Sequence, residues 1–85
     1  MNRADIHAAI DAERARQAEL WAAPHPHGKG DCSSRDVPLM VKVAVLAEEC
    51  GEVARAALDW DPAQMCIELV QVAAVATAIL EGVEP

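Results

Sequence analysis

The sequence predicts an all-α protein with three helices in a single domain, residues 1–85, in which the second and third helices form an antiparallel hairpin. Apolar residues recur at helical spacing through most of the chain. The composition is 53% hydrophobic and has no Phe and no Tyr. No stretch alternates in the way that is typical of a strand. A chain of 85 residues has only a marginal core of its own, so a partner subunit is expected to stabilise it.

The first helix is predicted over about residues 2–23, with Asn2 as a suitable N-cap. Glu13 and Gln17 lie on its apolar stripe, at positions where a helix that faces a core is normally apolar. Residues 24–36 are predicted to form a loop, because two Pro, two Gly and two Ser in thirteen positions cannot sustain a helix.

The second helix is predicted over about residues 37–58, with Ser34 or Asp36 as its N-cap. Trp60, in the short turn that follows, is expected to pack there. Seven apolar or small residues recur at helical spacing and are predicted to form the core-facing side of this helix. They are Val43, Leu46, Ala47, Cys50, Ala54, Ala57 and Leu58.

The third helix is predicted over about residues 62–81. Asp61 is a suitable N-cap, Gln64 is placed to complete a capping box with it, and Gly82 is expected to stop the helix. Residues 72–80 are apolar on all sides of this helix. Because a helix of that kind is buried on all sides, we expect a second subunit to cover it.

Charge and cysteine content limit the classes of partner and the compartment. The net charge of −7 argues against binding to nucleic acid or to an anionic membrane, because both are themselves acidic. The N-terminus lacks a secretory pattern, and no apolar run reaches 18 residues. Cys32, Cys50 and Cys66 are odd in number and widely spaced, so we expect small buried thiols and no disulfide. These features predict a cytoplasmic protein without a membrane partner.

Three glutamates lie within five positions of the second helix, in the stretch EECGE: Glu48, Glu49 and Glu52. Residues three and four positions apart share a helix face, with Cβ atoms about 5–6 Å apart. By itself such a run is typical of a solvated acidic face. The alternative is a set of carboxylates directed at a metal ion, and the third helix bears on that choice.

Glu68 and Gln71 are polar residues three positions apart near the start of the most apolar helix. In a hairpin that turns at residues 59–60, Glu52 and Glu68 are expected at the same level. Glu49 and Gln71 are likewise expected to lie level with each other, one helical turn further from residues 59–60. Clustered oxygen ligands favour a hard divalent cation such as Mg²⁺. A di-iron site is disfavoured, because neither helix contains a histidine.

These residues resemble the signature of the MazG-like all-α nucleoside triphosphate pyrophosphohydrolases, which is EExxE on one helix and ExxD on the next. The first half is complete as Glu48, Glu49 and Glu52, and the second half is present as Glu68 and Gln71. The stretch ELVQVAAVATAILEG is similar to the second motif helix of the short members of the family. The resemblance extends over the second and third helices and only loosely over the first.

The resemblance implies a helical fold whose four-helix-bundle core is completed by oligomerisation, as a dimer or a tetramer. It also implies hydrolysis of nucleoside triphosphates, including deoxy or non-standard ones, to the monophosphate and pyrophosphate. By the same resemblance Mg²⁺, or Mn²⁺ in its place, is held by Glu49, Glu52, Glu68 and Gln71. The implied catalytic residues are Glu48, Glu49 and Glu52, with Glu48 supporting the site or orienting the attacking water.

Position 71 departs from the family pattern, which has Asp where this chain has Gln. A Gln carbonyl binds Mg²⁺, but it is neutral and one carbon longer, so lower metal affinity is expected and a second metal is harder to hold. An alternative function therefore stays open: a nucleotide-binding protein with weak catalysis, or a helical dimerisation module.

Substrate contacts are predicted in the first helix and in the loop. Gln17 and Trp21 are four positions apart, so an amide and an indole face the same way. An aromatic ring stacks on a nucleobase and an amide reads its edge, although a Trp here also serves as a hydrophobic anchor. Lys29 and Arg35 carry positive charges that are expected near the phosphates.

Overall fold

The computed structural model describes residues 1–83, and positions 84–85 of the predicted domain lie outside the described residues. The described chain is mostly helical, which confirms the predicted all-α class. Its elements in chain order are α1 (Arg3–Leu20), β1 (Pro24–His25), β2 (Gly28–Lys29), α2 (Leu39–Leu58) and α3 (Pro62–Gly82). α3 packs against both α1 and α2, so the predicted packing of the second helix on the third is also confirmed.

α1 begins as predicted and ends earlier. The Asn2 side chain accepts a hydrogen bond from the Asp5 N–H at 2.9 Å, and the Asp5 carboxylate accepts one from the Asn2 N–H at 3.4 Å, which together form a capping box. The helix ends at Leu20, three residues before the predicted end. The chain then turns into a hairpin that starts at Pro24, and a proline disfavours helical backbone in the residue before it.

The loop contains a small antiparallel hairpin, so the prediction of no strand is wrong at this place. β1 pairs with β2, with His25 opposite Gly28. Gly28 has a φ of 132° and Gly30 a φ of 98°, and these are conformations that residues with a side chain rarely adopt. Strands of two residues are too short to show an alternating pattern, which is why the sequence did not reveal them.

The predicted N-cap of α2 is wrong. Pro38 occupies the cap position, and no side chain forms a cap hydrogen bond. Asp36 instead accepts a hydrogen bond from the Lys29 N–H at 2.7 Å, and the Ser34 hydroxyl donates to the Lys29 carbonyl at 2.6 Å. Both candidate caps therefore hold the hairpin, because that loop competes for the same short polar side chains.

The turn between α2 and α3 places Trp60 in the left-handed region, with a φ of 54°. The Trp60 N–H donates to the Ala57 carbonyl at 3.1 Å and the Asp61 N–H donates to the Ala56 carbonyl at 3.0 Å, which is the Schellman pattern of a helix end. Trp60 is 90% exposed, so its predicted packing role is wrong within this chain. Asp61 caps α3 as predicted, by accepting from the Gln64 N–H at 3.0 Å.

The predicted core-facing side of α2 is largely wrong. Val43 is 54% exposed and Leu58 is 75% exposed, and of the seven predicted residues only Leu46 is half-buried. The covered side of α2 carries Lys42, Glu49 and Ala56, which are seven positions apart, together with the half-buried Val45 and Val53. Polar and apolar residues therefore share this inner side, while most of the predicted apolar stripe is exposed.

The core of the described chain is small. Its buried apolar residues are Val37, Ala56, Ala74, Val75 and Ala78. The stretch 72–80 of α3 is therefore buried only in part, and its last residue, Leu80, is 76% exposed. Cys50 and Cys66 are exposed, although buried thiols were predicted, and all three cysteines are free.

α3 is long and apolar enough to span a membrane by length and composition alone. An 18-residue window within its 21 residues has a mean hydropathy of 1.7, and 17% of that window is buried. A core helix of a soluble protein meets the same criterion, and α3 packs against two other helices. The absence of a membrane partner therefore stays a prediction.

An ion-pair network connects the loop to α1 and to the C-terminal end of α3. Arg14 pairs with Asp31 at 2.7 Å and with Glu81 at 3.1 Å. Burial raises the pKa of Asp31, but hydrogen bonds from Ser33 and Arg14 outweigh it and hold that pKa below its usual value. A Cβ at Gly82 would collide with the Ser33 carbonyl, so the loop lies directly against the end of α3.

Candidate functional site

The antiparallel pair of helices α2 and α3 brings three carboxylates together. Glu49 and Glu52 of α2 and Glu68 of α3 each place one carboxylate oxygen so that the three atoms lie within 4.8 Å of one another. We call these residues the carboxylate cluster. The turn at 59–61 fixes the register of the two helices, and this register brings Glu52 level with Glu68 as the sequence predicted.

Two glutamine amides contact the cluster. The Gln64 amide donates to Glu68 at 2.8 Å, so its side chain does not complete the predicted capping box. The Gln71 amide lies between two of the carboxylates. With its nitrogen directed at them it donates to Glu68 at 2.7 Å and to Glu49 at 3.2 Å. The two ends of an amide have nearly the same shape, so the Gln71 side chain also fits in the opposite orientation. In that orientation its oxygen faces the carboxylates and provides a fourth oxygen ligand.

The carboxylates of the cluster raise one another's pKa values. The pKa of Glu52 is raised to about 7, first by a hydrogen bond with Glu68 and then by the negative charge of Glu49. The pKa of Glu49 is also raised, first by burial and then by the charge of Glu68. Like charges this close favour a shared proton or a bound cation. The cluster therefore gains from any positive charge placed between its members.

The donor set of the cluster fits a hard divalent cation. Two oxygen ligands of one Mg²⁺ are at most about 4.2 Å apart, and the three carboxylate oxygens lie within 4.8 Å of one another, so a small side-chain movement brings them to ligand distance. Within residues 1–83, none of the three carboxylates forms an ion pair with a Lys or Arg. Oxygen-only ligation of this kind suits Mg²⁺ or Mn²⁺.

A cavity of about 290 Å³ lies between α1 and α2 and reaches the cluster. We call it the interhelical cavity. Glu48 and Glu49 form part of its wall, and Val75 of α3 contributes to it as well. Its remaining apolar wall comes from α1, the loop and α2, with Leu20, Trp21, Val37, Val41 and Val45. Its size and mixed lining suit a small organic ligand with a polar end.

The predicted base contacts lie in this cavity. Gln17, which is 8% exposed, and Trp21, which is 48% exposed, both line it. Trp21 also meets the His25 ring edge-on, with the ring centroids 5.6 Å apart. Glu48 lines the cavity without joining the carboxylate cluster, so it is placed beside the cluster as a supporting residue would be.

The two predicted phosphate contacts lie elsewhere. Lys29 and Arg35 are exposed, and neither lines the interhelical cavity. The backbone of Lys29 is held by Asp36 in the hairpin. The positive side chain that does line the cavity is Arg16 of α1, which the sequence did not single out.

One signal in the sequence pointed towards Arg16. Glu13 and Gln17 interrupt the apolar stripe of α1. In the structure they contact one another, and Glu13 also contacts Arg16. Arg16 donates to the two Glu13 carboxylate oxygens at 2.7 Å each, and the Gln17 amide donates to Glu13 at 3.2 Å. The interruption of the stripe at Gln17 therefore marks the place where α1 borders the cavity, and Glu13 accepts hydrogen bonds from the two residues that line it there.

Comparison with known proteins finds no match: no protein-family model, no curated protein and no solved structure is significantly similar to this chain. A functional proposal for this protein therefore depends on the geometry of the cluster and the cavity, together with the motif in its sequence.

Proposed function

We propose that this protein is a Mg²⁺-dependent nucleoside triphosphate pyrophosphohydrolase of the MazG-like kind, with Mn²⁺ able to replace Mg²⁺. Its reaction converts a nucleoside triphosphate and water to the monophosphate and pyrophosphate. The observation that carries the proposal is a cluster of three carboxylates that borders a cavity of nucleoside size. A cation site beside an apolar cavity suits a ligand with a phosphate chain at one end and a base at the other.

Four side chains are assigned to the metal: Glu49, Glu52, Glu68 and Gln71 through its amide oxygen. A bound Mg²⁺ would supply positive charge to the triphosphate and polarise the phosphorus that is attacked. Glu52 and Glu68 would hold the ion between α2 and α3, and Gln64 orients Glu68 by a hydrogen bond. A proton shared by Glu52 and Glu68 would be released on binding, because metal ligands are deprotonated.

Glu48 is assigned to the attacking water. It lines the cavity next to Glu49 but lies outside the cluster, so its carboxylate is free to accept a hydrogen bond from water. The water oxygen forms a bond to the α-phosphorus, the bond to the α–β bridging oxygen breaks, and pyrophosphate leaves with that oxygen. The carboxylate of Glu48 orients the water and accepts its proton.

The base is assigned to the apolar end of the cavity. Trp21 offers a ring for stacking, and the Gln17 amide, which donates one of its two N–H groups to Glu13, offers its oxygen and its second N–H. An amide with both groups available reads a base edge that carries a donor and an acceptor. The reading of Trp21 as a hydrophobic anchor is compatible with this role, since the same ring lines the cavity.

One face of α2 is proposed to contact a second copy of the chain. We call it the outer face and define it as Met40, Val43, Ala47, Cys50, Ala54 and Ala57. These residues follow one another at alternating intervals of three and four positions, the spacing of a helix-packing seam. All of them are exposed in the single chain. Two outer faces packed together place four helices, two from each chain, around one core. The unit is a dimer, or a tetramer built from dimers.

The cytoplasm is the proposed compartment. All three cysteines are free, which agrees with a reducing environment. The net charge of −7 is consistent with a small anionic substrate that arrives with its cation and argues against a nucleic-acid partner.

A second candidate function follows from Gln71. Its amide donates to Glu68 and Glu49 when its nitrogen faces them, which satisfies the cluster without a cation. A neutral fourth ligand also lowers the charge available to hold Mg²⁺. This observation favours a nucleotide-binding protein with weak turnover, or a dimerisation module, over an efficient enzyme.

Pyrophosphate release from a panel of nucleoside and deoxynucleoside triphosphates tests the proposal. We expect release that requires Mg²⁺ or Mn²⁺ and that falls by about a hundredfold or more in Glu52→Gln, because the ligand that bridges α2 and α3 is lost. Glu19→Gln is the matched control, since Glu19 is exposed on α1 and does not line the cavity. A folded wild-type protein that binds Mg²⁺ but releases no pyrophosphate from any substrate would support the second candidate.

A further inference from the structure

Three polar residues of α1 form a hydrogen-bonded group beside the interhelical cavity, and two of them, Arg16 and Gln17, line it. Glu13 accepts two hydrogen bonds from Arg16, both at 2.7 Å, and one from Gln17 at 3.2 Å. The Glu13 side chain is only 12% exposed, so this arrangement is partly shielded from water. The hydrogen bonds from Arg16 hold the pKa of Glu13 below its usual value, and the pair is therefore ionised at neutral pH.

Arg16 combines a fixed position with free donors. Its side chain is 55% exposed, and Glu13 engages its Nε and one of its terminal nitrogens. A guanidinium group has five N–H donors, so three remain for a ligand. A bidentate carboxylate partner fixes the plane of the guanidinium, which prepares it for a second planar or tetrahedral anion.

Arg16 also faces the carboxylate cluster across the cavity. It lines the cavity from α1, while Glu48 and Glu49 line it from α2. The pKa of Arg16 is raised first by its hydrogen bond with Glu13, and the negative charge of Glu49 contributes in the same direction. An anionic ligand that enters between these walls meets the guanidinium on one side and, on the other, the carboxylates assigned to the metal.

We infer that Arg16 is the side chain that binds the phosphate chain of the ligand in the interhelical cavity, and that Glu13 positions it. The inference rests on the proposed function for the identity of the ligand as a nucleoside triphosphate. It replaces Lys29 and Arg35, which do not line the cavity. Among residues 1–83, Arg16 is the only Lys or Arg in the cavity wall, and Arg14 is already paired with Asp31 and Glu81.

Binding experiments test this inference without relying on turnover. Trp21 lines the cavity, so its fluorescence reports occupancy once the exposed Trp60 is replaced by Phe. In this Trp60→Phe background, the direct probes are the four deoxynucleoside triphosphates and the four matching deoxynucleosides. Inorganic triphosphate is the third probe, and its binding is measured by competition with a bound nucleotide. Each probe is titrated with and without Mg²⁺.

Arg16→Ala is expected to weaken the binding of deoxynucleoside triphosphates and of inorganic triphosphate by about tenfold to a hundredfold. Deoxynucleoside binding is expected to change less than about twofold, because the base end of the cavity is untouched. Arg3→Ala is the matched control, since Arg3 is exposed at the start of the same helix and does not line the cavity. Circular-dichroism melting confirms that each variant is folded.

The positioning role of Glu13 has its own readout. Glu13→Gln is expected to weaken inorganic triphosphate binding several-fold while Arg16 is present. In the Arg16→Ala background the same substitution is expected to have almost no further effect, because Glu13 acts through the guanidinium. A Glu13 that merely supported the fold of α1 would weaken binding equally in both backgrounds.

The outcomes separate this inference from the proposed function. Unchanged triphosphate affinity in Arg16→Ala, with hydrolysis intact, overturns the inference and leaves the proposed function standing. An equal loss of deoxynucleoside affinity also overturns it, because Arg16 then supports the shape of the cavity. A wild-type protein that binds none of the probes overturns it as well. Arg16-dependent triphosphate binding without any hydrolysis supports the inference and contradicts the proposed function.

Discussion

The two faces of α2 both carry apolar residues, but only the inner one is covered within the chain. The inner face, towards α3, carries Lys42 and Glu49 together with Val45, Val53 and Ala56, and all five are buried or half-buried. The outer face consists of apolar and small residues and is exposed. Covering a lysine and a glutamate while a row of apolar side chains stays exposed is unfavourable for an isolated chain. This arrangement is explained if the two charged residues serve a ligand site and the outer face contacts a second subunit.

The carboxylate cluster, which is half-buried at Glu49 and exposed at Glu52, is a second unfavourable feature. The cluster places three carboxylates beside one another, which opposes folding through charge repulsion, while Gln64 and Gln71 offset part of this effect by donating to Glu68 and Glu49. Polar groups that destabilise a fold locally are common at functional sites. The contrast between the two faces of α2 thus yields predictions for both.

The largest effect is expected at the outer face. Ala47→Glu places a charge at the centre of the proposed interface, and burying an unpaired carboxylate costs on the order of several kcal/mol. We expect the particle mass measured by light scattering to fall from that of a dimer or tetramer to that of a monomer, with a lower melting temperature. Ala18→Glu is the control, since Ala18 is exposed on α1. A wild-type protein that is already monomeric at micromolar concentration would contradict the proposed role of the outer face.

An intermediate effect is expected at the inner face. Gln71→Asp replaces an amide donor with a fourth carboxylate, so the metal-free protein should melt at a lower temperature and Mg²⁺ should bind more tightly. The rise in melting temperature on adding millimolar Mg²⁺ is expected to be several degrees in the wild type and larger in the variant. Pyrophosphate release should rise with metal affinity. Loss of both metal binding and activity would show that Gln71 does not contact the ion.

The smallest effect is expected from pH. The pKa of Glu52 is raised from 4.5 to about 7 in the folded chain, so between these values the folded state holds more protons than the unfolded state. Stability from this group is complete below about pH 4.5 and is lost as the pH rises through about 7. Without Mg²⁺ we therefore expect the melting temperature to fall between pH 5 and pH 8.

Two comparisons identify the source of this pH dependence. Glu52→Gln removes the titrating group, so its melting temperature should change less over the same pH range. Saturating Mg²⁺ should also flatten the profile of the wild type, because the ion replaces the proton between the carboxylates. A wild-type profile without Mg²⁺ that is as flat as that of Glu52→Gln would mean that the cluster does not couple protonation to stability.

The sequence by itself determined the local features of this protein. Helix positions follow from the 3.6-residue period, and the caps at Asn2 and Asp61 follow from side chains that bond to the nearest free N–H groups. The level placement of Glu52 and Glu68 also follows from the sequence, because a short turn between two helices fixes their register. All of these depend on neighbours a few positions away along the chain.

Only the tertiary structure decided what each face of each helix packs against. The apolar stripe of α2 identifies a face that will be buried, but it does not say whether its partner belongs to the same chain. The proposed role of Arg16 depends on α1, α2 and the loop lining one cavity, a long-range arrangement that no local period encodes. The hairpin of the loop depends on Gly28 and on a side chain eight positions later, Asp36, which also lies outside any regular pattern.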